Sequence, residues 1–112
     1  MNKSMLIKNG RILDPAQDLA ITGDLLITDG KIKEIAPDVK NIPADCTTLD
    51  AKGMVVCPGF VDFHCHLRQP GFEEKETIAT GSKAAAKGGF TTICCMPNTE
   101  PALDNKATID FI

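Results

Sequence analysis

The chain is 112 residues long, 43% hydrophobic, with a formal net charge of −3, the size and composition of a small globular unit and not of a disordered segment. Acidic and basic residues are interleaved and Trp and Tyr are absent, so neither a basic stripe nor stacking rings mark a nucleic-acid partner. No run approaches the ~18 apolar residues of a membrane span, and the opening MNKSMLIKNG lacks the apolar core of a secretory signal, so a cytoplasmic location is expected.

In chain order, the first half reads as short strands punctuated by turns. MLIKNGRIL holds two extended pieces around Asn9-Gly10, a dipeptide that signals a tight hairpin. DLLITDGKIKEIA repeats the device at Asp29-Gly30, and TLDAKGMVVCPG places two more short pieces about Lys52-Gly53. Pro58-Gly59 then breaks the chain. Residues 1–57 are expected to form a small, mostly antiparallel β unit of sandwich type.

The second half, residues 58–112, changes character. FVDFHCHL is strand-like. EEKETIATGSKAAAKGG is helix-like, with acids in its first turn, an alanine-rich body, late lysines and glycines at the exit. FTTICCM is strand-like again and ends at Pro97. Strand, helix and strand in that order make one βαβ unit with two parallel strands, which need cover on both faces. In LDNKATIDFI, Asp104 or Asn105 can cap a helix starting at Lys106. Ile109 and Ile112 would share a face of it. A helix this short has little stability alone, so the end reads as a cut through an element and the chain as a truncated one.

The five cysteines, at 46, 57, 65, 94 and 95, are odd in number and form no CxxC pair, which argues against a disulfide framework or a zinc knuckle. Cys57, Cys94 and Cys95 lie in apolar runs, where buried free thiols are common.

Both histidines of the chain fall in FVDFHCHLRQPG, residues 60–71. Residues i and i+2 of a strand share a face, so His64 and His66 project together with Asp62 one step earlier, while Val61, Phe63 and Cys65 point to an apolar layer. Two neutral imidazoles on a rigid strand make a clamp for a divalent metal. The C-terminal end of a strand in a βα unit is also where barrel and doubly wound enzymes place their chemistry. Alone, HxH is a weak signal, since nearby histidines in a strand are more often ordinary polar residues. Arg68 alone is a solvated loop charge, and Asn98 alone a turn former after Pro97. Their coincidence at one rim shifts the balance: Arg68 can grip a carboxylate with its planar fork, and the amide of Asn98 can both donate and accept.

Two motifs, HxHLRxPG at 64–71 and MPNT at 96–99, with KET and GGFTT at comparable spacing between them, closely resemble the start of the barrel in type I dihydroorotases of the amidohydrolase superfamily. The usual glutamate of the HLREPG run is Gln69 here. The resemblance implies an α/β fold, the start of a metal-dependent (β/α)8 barrel preceded by a β-rich segment. It implies reversible hydrolysis of dihydroorotate to N-carbamoyl-aspartate in pyrimidine biosynthesis, at a site with one or two zinc ions. Carried over by position, His64 and His66 are metal ligands, and His66, Arg68 and Asn98 are substrate contacts. Asp62 is a packing or supporting partner, not a ligand. A catalytic zinc takes about three protein ligands, and the family's later ligands and its catalytic aspartate have no counterpart here, so no catalytic residue is assigned and the 112-residue chain alone is expected to be inactive. Two rival readings stay close: a hydantoinase, dihydropyrimidinase or allantoinase, and a non-catalytic dihydroorotase-like partner of aspartate transcarbamoylase. A homodimer and a short metal-binding module are further options.

Overall fold

The computed structural model describes residues 4–112. They divide into two compact units, one ending at Pro58 and the other spanning Gly59–Ile112.

The first unit is one sheet. Its strands are β1 (Ser4–Asp14), β2 (Leu19–Thr28), β3 (Lys31–Ala36), β4 (Thr47–Asp50) and β5 (Val55–Val56). The order is β3-β2-β1-β4, with β5 also on β1. The Asp29-Gly30 hairpin forms as expected: both residues take positive φ, 53° and 73°, and β2 and β3 pair antiparallel across them. The Asn9-Gly10 hairpin does not form. β1 runs unbroken through it and pairs antiparallel with β2, with a register shift between Ile7 and Gly10. Asn9 takes φ 60°, the same left-handed conformation a tight turn would need, but spends it on a β-bulge. The bulge resets the alternation, so Ile7 and Ile12 line one apolar groove with Leu25, Ile27, Ile35 and Val56 although their odd spacing would put them on opposite faces of a regular strand. The expectation of a mostly antiparallel unit holds for the long β1–β2 and β2–β3 pairings, with parallel additions on the other side of β1. β4 and β5 both run parallel to β1, and residues 51–54 between them bulge out opposite Asn9-Gly10, held by Ala51 N–H to Lys8 O at 2.8 Å and Arg11 N–H to Met54 O at 2.9 Å. Gly10 admits this close approach, because a Cβ there would lie 2.6 Å from Val56 Cγ2.

The opposite face carries the core of Leu6, Leu26 and Val39. Leu6 and Leu26 are direct partners across β1 and β2, and Val39, 1% exposed, covers them from the segment after β3. The buried Asp24 fastens that cover. Its Oδ1 accepts from Asn9 N–H at 3.0 Å and its Oδ2 from Val39 N–H at 3.3 Å. On the other flank, Asp50 accepts from the Asn9 side-chain amide at 2.9 Å and from Lys52 N–H at 3.0 Å. These bonds, that of Asn9 above all, hold the Asp50 carboxyl below its usual range. A carboxylate whose folded pKa is depressed adds stability above its unfolded value and loses it as pH falls through the folded one. We expect the acid-side loss of stability below about pH 4 to be shallower in Asp50→Asn, as measured by urea midpoints against pH. An unchanged slope would deny Asp50 the role. Asp38, lowered through its bond to Lys40, titrates in the same window and keeps the remaining slope above zero.

The second unit holds β6 (Phe60–Cys65), α1 (Ile78–Lys87), β7 (Phe90–Cys95) and α2 (Lys106–Phe111). β6 and β7 pair in parallel, giving the expected strand-helix-strand unit. The acids of the EEKE run lie ahead of the helix and not in its first turn. The helix is started by a capping box, in which Thr77 Oγ1 accepts from Thr80 N–H at 3.1 Å and Thr80 Oγ1 from Thr77 N–H at 2.9 Å, the pair of bonds that satisfies two otherwise free donors. Gly81 is buried, and a Cβ on it would lie 2.6 Å from Leu67 Cδ2, so its absence lets α1 settle on the end of β6. Asn105 caps α2, accepting from Thr108 N–H at 3.1 Å, and Ile109 and Phe111 remain about 60% exposed. The layer expected over Val61 and Phe63 is not formed within this unit: Phe63 is 75% exposed. Cys57 and Cys94 are exposed as well, against the expectation of buried thiols. No helix among the described residues is long and apolar enough to cross a membrane.

Candidate metal and carboxylate site

Two loops leave the same end of the β6–β7 pair, residues 66–72 after β6 and residues 96–103 after β7. Parallel strands carry their C-terminal ends together, so the loops must meet or diverge. Here they are latched. Met96 N–H donates to Cys65 O at 2.8 Å and Glu100 N–H to Pro70 O at 3.1 Å. Gly71, at φ 96°, lies so close to the second loop that a Cβ would be 2.2 Å from Glu100 O.

The expected pairing of the histidines is seen. The His64 and His66 ring centroids are 5.3 Å apart, edge to face, with His64 exposed and His66 half-buried. Asp62 supports them from below: its Oδ1 accepts from His64 N–H at 2.9 Å, which fixes the backbone of the first imidazole. Asn98 joins from the other loop, with its Oδ1 3.0 Å from His66 Nδ1. The structure thus brings three of the four candidate residues together across 32 positions of sequence.

Arg68 stands two residues past His66, half-buried, in the left-handed conformation at φ 63°, and its carbonyl accepts from Phe72 N–H at 3.0 Å. The ion pairs among the described residues are Lys8–Asp24, Lys40–Asp38 and Lys106–Asp110, so its guanidinium is uncommitted to any carboxylate among them. Cys65, expected to face away from Asp62 and the histidines, shares a cleft with Asp62 and His66 instead. It lines the cleft beneath α1 with Gly81 and Ala85, and burial pushes its thiol above the usual range, with the Asp62 charge adding to the effect. Among the described residues no three of His, Cys, Asp or Glu cluster as a metal site.

One residue of the site region was missed by sequence reasoning. Gln69 Oε1 accepts from Ile78 N–H at 2.9 Å. Ile78 is the first residue of α1, and its N–H has no partner inside the helix. The side chain therefore ties the Arg68 loop to the helix. A glutamate supplies the same oxygen, with a charge that the helix N-terminus favours, which gives a physical reason for either residue at this position. The available signal was a polar acceptor shortly before a capping box. Gln69→Leu is expected to cost about 1–2 kcal/mol in chemical denaturation, and Gln69→Glu to restore the loss. A leucine variant as stable as the parent would remove the tie.

Comparisons with known proteins place the chain in a family. Residues 53–112 match the family model described as dihydro-orotase-like. The chain is 54% identical over 108 residues to a dihydroorotase of Caldicellulosiruptor saccharolyticus and 55% identical over 108 residues to one of Syntrophus aciditrophicus, covering 96% of this chain and 25% of each relative. It therefore spans about a quarter of the length of these relatives. Among solved structures, L-hydantoinase (dihydropyrimidinase) from Arthrobacter aurescens superposes with a TM-score of 0.82 at 32% identity, over 99% of this chain and 24% of that one. A D-hydantoinase superposes with a TM-score of 0.75 at 36% identity, over 96% of this chain and 23% of that one.

Proposed function

Because the chain belongs to the dihydro-orotase-like family, we propose that it is the first portion of a cytoplasmic, zinc-dependent dihydroorotase, which interconverts dihydroorotate and N-carbamoyl-aspartate in pyrimidine biosynthesis. In this reading β6, α1 and β7 open a (β/α)8 barrel, and the sheet of the first unit is the β-rich segment before it. The observation that carries the reading is the meeting of the two motifs in space, His64 beside His66 and His66 against Asn98.

His64 and His66 would hold the metal. The donor chemistry fits: neutral imidazole is a common zinc ligand, and a strand end is a rigid mount for two of them. They are two of the roughly three protein ligands that a catalytic zinc needs. When bound, zinc lowers the pKa of water towards neutrality and polarises an amide carbonyl. The work of this chain's own residues is to bind and orient. Arg68 presents a charged fork to the substrate carboxylate, and Asn98 presents amide hydrogens to the same group. Together they fix the ring so that its amide faces the metal side of the rim. No group of the chain is assigned to proton transfer, and the chain alone is inactive in this reading.

The solved neighbours are consistent with a second reading, a hydantoinase or dihydropyrimidinase acting on an uncharged ring, since they share this part of the fold. The uncommitted guanidinium of Arg68 supports a carboxylate-bearing ring instead. A substrate panel on the full-length enzyme separates the two. We expect turnover of dihydroorotate and none of hydantoin, dihydrouracil or allantoin. Arg68→Met should raise KM for dihydroorotate by about 10- to 100-fold, the worth of a charge-assisted hydrogen-bonded pair. Turnover confined to the uncharged rings would replace the proposal with the second reading.

A further inference from the structure

We infer that Asn98 is a positioning residue for His66, so that one amide couples the metal end of the site to the carboxylate end. The inference rests on the reading of His66 as a metal ligand. Its starting point is the 3.0 Å contact between Asn98 Oδ1 and His66 Nδ1. An amide oxygen can only accept, so the proton of the neutral ring must sit on Nδ1. The lone pair is then left on Nε2, and that nitrogen becomes the ring's donor to a cation. The tautomer of a ligating histidine is set by the bond its other nitrogen makes.

Asn98 is well placed for this because the backbone, not its own side chain, locates it. The bonds Met96 N–H to Cys65 O and Glu100 N–H to Pro70 O hold its loop on both sides, at 2.8 and 3.1 Å. With Oδ1 committed to the ring, the orientation of the planar amide is fixed, and Nδ2 keeps its hydrogens for a negatively charged partner. Asparagine suits both duties. An aspartate at 98 would hold the Nδ1 proton as well, but would set a negative charge where a substrate carboxylate is to bind. An alanine would leave the ring free to adopt either tautomer.

Two variants dissect the duties, Asn98→Ala and Asn98→Asp. The first readout is the protonated ring nitrogen of His66, from nitrogen shifts of labelled histidine in the chain above the ordinary imidazole titration range. With only two histidines present, the assignment is a two-way choice, settled by a His64→Gln spectrum. The parent is expected to carry the proton on Nδ1, the alanine variant to shift towards Nε2, and the aspartate variant to keep Nδ1. The second readout, on the full-length enzyme, is zinc affinity by competition with a chelator. It should fall about 10- to 100-fold in Asn98→Ala and stay near the parent in Asn98→Asp, whose defect should appear in KM. A parent ring protonated on Nε2 overturns the inference by itself, without any variant having to fold. Unchanged zinc affinity in Asn98→Ala overturns it too. Failure of the underlying reading looks different: His66→Ala would then leave zinc affinity intact whatever tautomer the ring adopts.

Discussion

Replacing Asp24 with alanine should lower the unfolding free energy by about 3 kcal/mol, and the urea midpoint should fall with no change in slope. Asp24 is 2% exposed in the middle of an apolar strand, where a carboxylate has no business unless it is satisfied. It is satisfied by two backbone donors, Asn9 N–H and Val39 N–H, with Lys8 Nζ at 3.9 Å. Alanine removes the acceptor and leaves both donors in place. A buried donor stripped of its partner costs about 1–3 kcal/mol, and one of these two sits at the bulge that sets the register of β1. Val39 also closes the Leu6–Leu26 core, so losing its anchor loosens the cover. Asp24→Asn should fall between parent and alanine, because one oxygen survives while the new NH2 group faces a donor. A loss below about 0.5 kcal/mol in Asp24→Ala, the level of an ordinary surface change, would show that the two bonds do not hold the sheet.

Asp24 also shows where the sequence stops being informative. A lone acid in GDLLIT reads equally as a strand end facing water or as a buried acceptor, and only the position of Val39 decides. Asn9-Gly10 is the same kind of case. The dipeptide announces positive φ, and a tight turn and a β-bulge both consume it. The distinction depends on whether β2 and β4 flank the strand, which is long-range information. Local signals fared better. Asp29-Gly30 closed a hairpin, Asn105 capped α2, and the strand-helix-strand order of residues 60–95 held, because period and capping are written within a few residues. The histidine pair was legible from its two-residue spacing at a strand end, although β6 stops at Cys65 and its register shifts between Asp62 and Cys65. The contact of Asn98 with His66 was not, since it follows from the register of β6 on β7. Gln69 was missed because its partner Ile78 lies nine residues on, past a loop whose path local pattern does not set.

The parallel register also sharpens the expectation for the site itself. In the full-length enzyme, His64→Ala and His66→Ala should each abolish stoichiometric zinc and lower kcat/KM by about three orders of magnitude or more. Metal catalysis is worth several kcal/mol of transition-state stabilisation, and each 1.36 kcal/mol is tenfold in rate. The double variant should be scarcely worse than either single one, since two ligands of one ion, the role proposed for this pair, act as a unit. Stability separates this loss from misfolding. His64 is exposed, with its ring edge to face against His66, so His64→Ala should unfold within about 0.5 kcal/mol of the parent. His66→Ala also gives up the Asn98 contact and should be somewhat less stable. Retention of zinc, or of activity within tenfold, in the His64 variant would remove the metal assignment from β6. The isolated chain offers a second arm. With two imidazoles and no third ligand among its described residues, it should bind zinc weakly and without a folding transition. Tight one-to-one binding would mean that the chain completes a site by itself, and the partial-set argument would fail with it.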